Sequence, residues 1–208
     1  MSQKLFLDTS NGATIIGCTE RGWFEMPPKG DSLLFLANAW DAIEQKLQDN
    51  AESIEAICLV IGPGALTGVR VGVGFATSLA YGLSLPVMPI SSLQLSAYLA
   101  HARYHVNHCV VLRDARMGEY YYGEYQLNQQ GISVVNEGIL PHDQLHTLPD
   151  LPMFLDPCAK QVPDHVTMLE RMTENECHHA LDYLAQTIAS IPALAVKPIY
   201  WRPSVLKS

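Results

Sequence analysis

AICLVI (56–61), GPGALTGVR (62–70) and VGVGFATSLAYGL (71–83), taken as one stretch, carry the architecture of the chain. The continuous apolar run 56–61, closed off by Gly62-Pro63-Gly64, predicts a central strand covered on both faces. A loop and a helix over about 67–83 follow. In that helix Gly68, Gly72, Ala76 and Ala80 recur at every fourth position and line one side, where another backbone can come close. That side faces either the protein's own sheet or a second subunit. The N–H groups at the helix start suit an anion; a tight turn that only seats the helix on the sheet is the other reading. The segment is no Walker loop, since it has no lysine, and no dinucleotide fingerprint, since three residues separate Gly64 from Gly68. From 71 to 90 no residue is charged, about the length of a bilayer span. Pro86 and Pro89 nonetheless stop a helix near Leu85, and Gly72, Gly74 and Gly82 dilute its apolarity, so a buried helix and a short strand are expected.

On the N-terminal side, 4–7 is short and apolar, Asp8-Thr9-Ser10-Asn11-Gly12 makes a bend, and 13–18 is β-rich again. A turn at Glu20-Arg21-Gly22 and a third strand at 23–26 complete an antiparallel meander. From Asp31-Ser32, a cap signal, Leu33, Leu36, Trp40, Ile43 and Leu47 form a helical stripe that Leu34 and Ala37 widen. On the C-terminal side, 86–89 leads to a helix from 91 or 92 to 103. Then 109–112, a turn over 113–118, and strands at 119–127 and 132–138 restart the pattern. Strand, bend with Asp, strand thus occurs twice, at Asp8 and at Asp114. Beyond Leu140 a strand at 153–155 and a helix at about 176–191 are predicted. A boundary near 105–108 gives two domains, 1–106 and 107–208.

The chain has 208 residues, 48% hydrophobic and 16% charged, with net charge −8. It is long enough to bury a core in two lobes. No Lys/Arg-rich run appears, which argues against a protein that grips nucleic acid unaided. Five cysteines (Cys18, Cys58, Cys109, Cys158, Cys177) form no CxxC pair and read as small core residues of a reducing compartment. The apolar run at the N-terminus is too short for a signal peptide, so a cytoplasmic location is expected. His101/His105 and His142/His146 have HxxxH spacing, yet neither pair carries the carboxylate of a zinc-peptidase helix, and solvated pairs are expected instead. Carboxylates at Asp8 and Asp114 would position magnesium or a phosphate-bound water; taken singly, both are ordinary turn-formers.

The run GPGALTGVRVGVGFATSLAYGLSLPVMPISSL (62–93), with LFLDTS (5–10), RDARMGEYYYGEY (113–125) and PIYWRPS (198–204), resembles the TsaB (YeaZ) family over nearly the whole chain. The resemblance implies an α/β, actin-like ATPase fold (ASKHA, ribonuclease H-like), with two lobes of mixed sheet and flanking helices, the second reduced. It implies a non-catalytic scaffold or activating subunit that binds the paralogue TsaD, works with the ATPase TsaE, and meets tRNA only through that complex. The reaction is threonylcarbamoyl transfer to the adenosine beside the anticodon of ANN-decoding tRNAs. In the catalytic paralogue two histidines hold a metal just after the matching helix. Here Ser92 and Ser96 stand at those positions, and neutral hydroxyls are poor substitutes for imidazole.

These considerations give two candidate sites. Asp8, Thr9, Ser10, Gly62, Gly64, Gly68 and Asp114 would receive ATP or ADP with magnesium in the complex, no cofactor being tightly bound to the chain alone. Leu33, Leu36, Ala37, Trp40, Gly68, Arg70, Gly72 and Ala76 would form the partner interface, which also self-associates into a homodimer. Two enzyme readings stand as alternatives: an ATP-dependent small-molecule kinase and a metallopeptidase-like enzyme of the same superfamily.

Overall fold

The computed structural model describes residues 2–18, 21–27, 30–50, 52–157, 159 and 162–200. Cys158, Glu20 and the PIYWRPS segment from 201 onward lie outside them. Backbone packing divides the chain into two units, Met1–Ser91 with Ile188–Ile199, and Ser92–Thr187 with Tyr200–Ser208.

In the first unit β1 (Ser2–Asp8), β2 (Thr14–Cys18) and β3 (Gly22–Met26) form the antiparallel meander. After α1 (Ser32–Asp49), β4 (Ser53–Val60) lies parallel to β1; after α2 (Leu66–Leu83), β5 (Pro86–Ile90) lies parallel to β4. Asp31 starts α1 by accepting the Leu33 and Leu34 N–H groups, each at 3.1 Å. The core of this unit joins Leu5, Leu7 and Ile16 of the sheet to Leu36, Ile43 and Leu47 of α1 and to Ala76 and Ala80 of α2. The small-residue row of α2 therefore packs on its own sheet. A Cβ on Gly72 would fall 2.2 Å from Thr9 Oγ1, and one on Gly68 would fall 2.0 Å from the Thr9 carbonyl oxygen. Elsewhere on the sheet, Phe6 and Trp23 stack with ring centroids 5.8 Å apart. They flank Gly17 in register, and a Cβ there would strike the Trp23 ring.

The second unit opens with α3 (Ser92–Tyr104), followed by the meander β6 (His108–Arg116), β7 (Glu119–Asn128) and β8 (Gly131–Pro141). β9 (Met153–Leu155) runs parallel to β6 and β10 (Val166–Met168) parallel to β9, before α4 (Glu174–Leu184). Its strand order, β10-β9-β6-β7-β8, repeats the β5-β4-β1-β2-β3 of the first unit. Between β8 and β9 there is only a 3-10 turn, His142–Thr147, where the first unit has α1. This doubled arrangement, with a reduced second unit, is the actin-like ATPase fold.

Two expectations differ from the structure. The division between units falls at Ser91/Ser92 rather than near 106, because α3 packs on β6 and β7. The last helix stops at Leu184 instead of about 191, because the chain rejoins the first unit at Ile188. There β11 (Ile191–Pro192) pairs antiparallel with β5 as an edge strand, a position that tolerates proline.

α3 is tied to α4 by Arg103, whose guanidinium holds Glu176 at 2.7 and 2.8 Å and also donates to the carbonyls of Glu170 and Arg171. Glu176 in turn closes a capping box with Thr173. A buried ion pair, Arg113 to Asp156 at 2.7 Å, joins β6 to the end of β9. The four described cysteines are buried thiols, and burial pushes those of Cys18 and Cys109 up to about 12. Among the described residues no helix is long and apolar enough to cross a membrane.

Two glycines two residues apart in α2 should respond oppositely to substitution. Gly72→Val forces a side chain into Thr9 and should lower stability by about 1–3 kcal/mol. Gly74→Ala, whose Cβ meets nothing within 4 Å, should raise it by up to about 1 kcal/mol in urea unfolding. The Arg103 hydrogen bond, followed by the Thr173 cap, lowers the Glu176 carboxyl from 4.5 to about 2. Its contribution is therefore complete above the ordinary carboxylate range and is lost as pH falls through about 2. The gap in urea midpoint between wild type and Arg103→Gln should stay constant from pH 6 to about 5 and narrow as pH falls from about 4.5 to 2.5.

Candidate functional site

β1 ends in Asp8, whose Oδ1 accepts the Ser10 N–H at 2.7 Å. The Thr9 hydroxyl donates to the Gly68 carbonyl at 2.7 Å, and the Ala65 N–H donates to the Ser10 carbonyl at 2.8 Å. Ala65 is the cap residue of α2 and provides no side-chain cap, so the bend after β1 does that work. Gly62 takes φ +102°, a left-handed conformation that favours glycine, and the Ile199 N–H donates to the Ile61 carbonyl beside it. The structure thus brings Asp8, Thr9, Ser10, Gly62, Gly64 and Gly68 into one constellation in the first unit.

Asp114 belongs to the second unit, where its Oδ1 accepts the Arg116 N–H at 2.7 Å. That is the same bond, two residues onward, that Asp8 makes. Both aspartates therefore act as turn-formers, and the duplication lies in that role.

The first constellation is closed. Asp8, Thr9 and Ser10 are 7%, 2% and 2% exposed, and the Thr9 and Ser10 carbonyls are turned onto α2. Magnesium keeps several waters beside its carboxylate and phosphate ligands. The bend does not present such a solvent-open set of oxygens, so these residues do not fit a magnesium nucleotide as they stand. Among the described residues no group of three His, Cys, Asp or Glu side chains is placed to hold a metal. Ser92 and Ser96 are buried, and the Ser96 hydroxyl donates to the Ser92 carbonyl at 3.2 Å. The histidine pairs are engaged separately: His101 with the Val106 carbonyl, His142 with that of Glu119, and His146 with that of Asp143.

The expected interface divides. Leu36, Gly72 and Ala76 are buried in the first unit's own core, and Gly68 is pressed on the Thr9 carbonyl, so these four do not form an outer surface. Leu33 is 58% exposed, Arg70 is exposed, and Ala37 and Trp40 are half-buried. Leu34 at 60% and Leu66 at 49% exposure, and exposed Gly74, are further outward residues of the same two helices. Leu34 was legible only as a widening of the stripe. Gly74 starts a second small-residue row, Gly74-Ser78-Gly82, set two residues beyond the buried one.

Residues 34–176 match the family model for TsaD, tRNA N6-adenosine threonylcarbamoyltransferase. The chain is 33% identical over 132 residues to the tRNA threonylcarbamoyladenosine biosynthesis protein TsaB of Escherichia coli K12, covering 62% of this chain and 57% of that protein. It is 44% identical over 71 residues to the TsaB of Haemophilus influenzae, covering 34% of this chain and 30% of that one. The match thus spans less than two thirds of these relatives' own length. A solved structure of YeaZ from Pseudomonas aeruginosa superposes with a TM-score of 0.72 at 25% identity, covering 96% of this chain and all of that one. Another, described as an uncharacterized protein with similarity to peptidase YEAZ from the same organism, gives 0.73 at 26%, covering 97% and 100%.

The two bends should differ in cost. Asp8→Ala strands the buried Ser10 N–H and should lower stability by about 1–3 kcal/mol, whereas Asp114→Ala, whose bend is open to water, should cost less. Thermal unfolding of the two variants compares them.

Proposed function

We propose that this chain, which belongs to the TsaB (YeaZ) family, is a non-catalytic scaffold or activating subunit that binds TsaD for threonylcarbamoyl transfer to tRNA. The acceptor is the adenosine beside the anticodon in ANN-decoding tRNAs. The observation that carries this reading is the exposure of large apolar side chains at the starts of α1 and α2, where Leu33, Leu34 and Leu66 are each about half exposed or more. Large apolar side chains left in water favour burial against another protein. The same side chains support self-association into a homodimer when the partner is absent.

Absence of catalysis is supported by the residue types at Ser92 and Ser96, buried neutral hydroxyls that are poor metal ligands, that of Ser96 donating to the Ser92 carbonyl. Nucleotide with magnesium is assigned to the assembled complex, because the bend at Asp8 is filled by the chain itself. TsaE joins through the complex, and tRNA is met there too, since net charge −8 gives this chain no electrostatic grip of its own. The compartment that contains tRNA modification is the cytoplasm.

Size-exclusion chromatography with light scattering, on this chain mixed with TsaD from the same organism, tests the reading. A stable heteromer is expected, and Leu34→Asp should abolish it while shifting stability by no more than about 0.5 kcal/mol, as for a surface position. No association of the wild type under any nucleotide condition, or ATP turnover by the isolated chain, would overturn the subunit reading in favour of a kinase.

A further inference from the structure

Among the described residues of the first unit, the two large apolar side chains most open to water are Leu194, 81% exposed, and Tyr81, 68% exposed. Both line a groove of about 760 Å³ between the last turn of α2, the start of β5 and the stretch Ser190–Leu194. That volume lies within the ~300–1,000 Å³ of sites that receive a ligand. The whole lining belongs to the first unit, and its buried members are the small Ala80 and Ala193. Tyr81 stands roughly 22 Å along the helix axis from Leu66, so the groove lies away from the start of α2.

The chemistry of the lining selects what can enter. No residue from 71 to 100 or from 183 to 196 is Asp, Glu, Lys or Arg, so the groove is neutral in a chain of net charge −8. An ionised ligand would lose hydration there with nothing to pair it. The sheet edge beside the groove is β11, which has only Ile191 and Pro192, and Pro192 stands opposite Pro86. Neither proline has an N–H, so the edge is a poor template for an added strand. Hydroxyls remain: those of Tyr81, Ser84 and Ser190 have no hydrogen-bond partner among the described residues. Ser84 is fixed as the left-handed cap of α2, its N–H donating to the Tyr81 carbonyl at 3.3 Å. The three hydroxyls can donate to a ligand whose own acceptors are free.

We propose that this groove binds an uncharged, proline-rich segment of a partner protein in the polyproline II conformation. Such a segment has no internal hydrogen bonds, so its carbonyls are free to accept from the three hydroxyls. Its rings pack on Tyr81, Leu194 and the Pro86–Pro192 pair, the mode by which proline-rich segments dock on aromatic-lined grooves. Already extended and ordered, it loses little conformational freedom on docking. The site is independent of the TsaD reading, since it uses the other end of α2.

The test is a titration of the full isotope-labelled chain with a capped, uncharged octapeptide of prolines with leucine at every third position, followed by backbone amide shifts. Saturable shifts are expected between 80 and 85 and between 190 and 194, unchanged by added salt because no charge is involved. Tyr81→Ala should weaken binding about tenfold, and Leu194→Asp, which puts a charge in the groove, should abolish it. Both positions are exposed, so both variants should keep the wild-type Tm and the wild-type affinity for TsaD. Absence of saturable shifts, or unchanged affinity in the two variants, overturns the site. Equal binding of a capped octapeptide of alternating threonine and valine overturns it in favour of strand addition. The same shifts on concentrating the chain alone give the groove to a second copy and overturn it too. Loss of TsaD binding in either variant overturns the separate site and leaves the subunit reading standing.

Discussion

At Gly68 and Gly72 the helix α2 comes so near the bend after β1 that one added carbon would collide with the Thr9 carbonyl or hydroxyl. The hydrogen bonds from Thr9 to Gly68 and from Ala65 to Ser10 form because of that approach, and they cap a helix that has no capping side chain. The same approach turns the oxygens of the bend inward. It also fixes which side of α2 is left over. With Gly72, Ala76 and Ala80 buried, Arg70 and Gly74 are turned outward, in the same unit as exposed Leu33 and Leu34 of α1.

The second unit repeats the sheet with less to cover it. Val110, Leu112, Tyr120 and Leu155 make a small cluster roofed by Leu145, Leu148 and Leu151 from the short 3-10 turn and the loop after it. Aromatic rings laid over glycines take up part of the work of missing helices. Tyr122 lies against Gly138, its register partner, and Tyr125 lies against Gly123 while bonding Glu137. Trp23 over Gly17 is the same device in the first unit.

Periodicity made the first unit legible nearly to its ends. Asp31 as cap, the stripe of α1, the apolar run of β4 and the Gly/Ala row of α2 each follow from local side-chain chemistry. The row's target was not legible, because a line of small residues says that something approaches closely but not what; Thr9 of the same chain proved to be the neighbour. The paired bends at Asp8 and Asp114 were visible as a repeat, yet their closed hydrogen bonds depend on atoms distant in sequence. α3 was recognised as a helix and assigned to the wrong side of the boundary, since its packing on β6 and β7 is tertiary. β10 and β11, three and two residues long, leave no periodic trace at all.

The burial of the cysteine thiols has a consequence for watching this molecule move. Cys18 and Cys58 sit in the first unit, Cys109 and Cys177 in the second, all shut away from solvent. With the Cys18 and Cys109 thiols buried and pushed up to about 12, a thiol-directed label can attach to either of them only during an opening. The chain thus carries its own pair of clocks, one in each half, and the rate at which each is marked counts how often that half breathes.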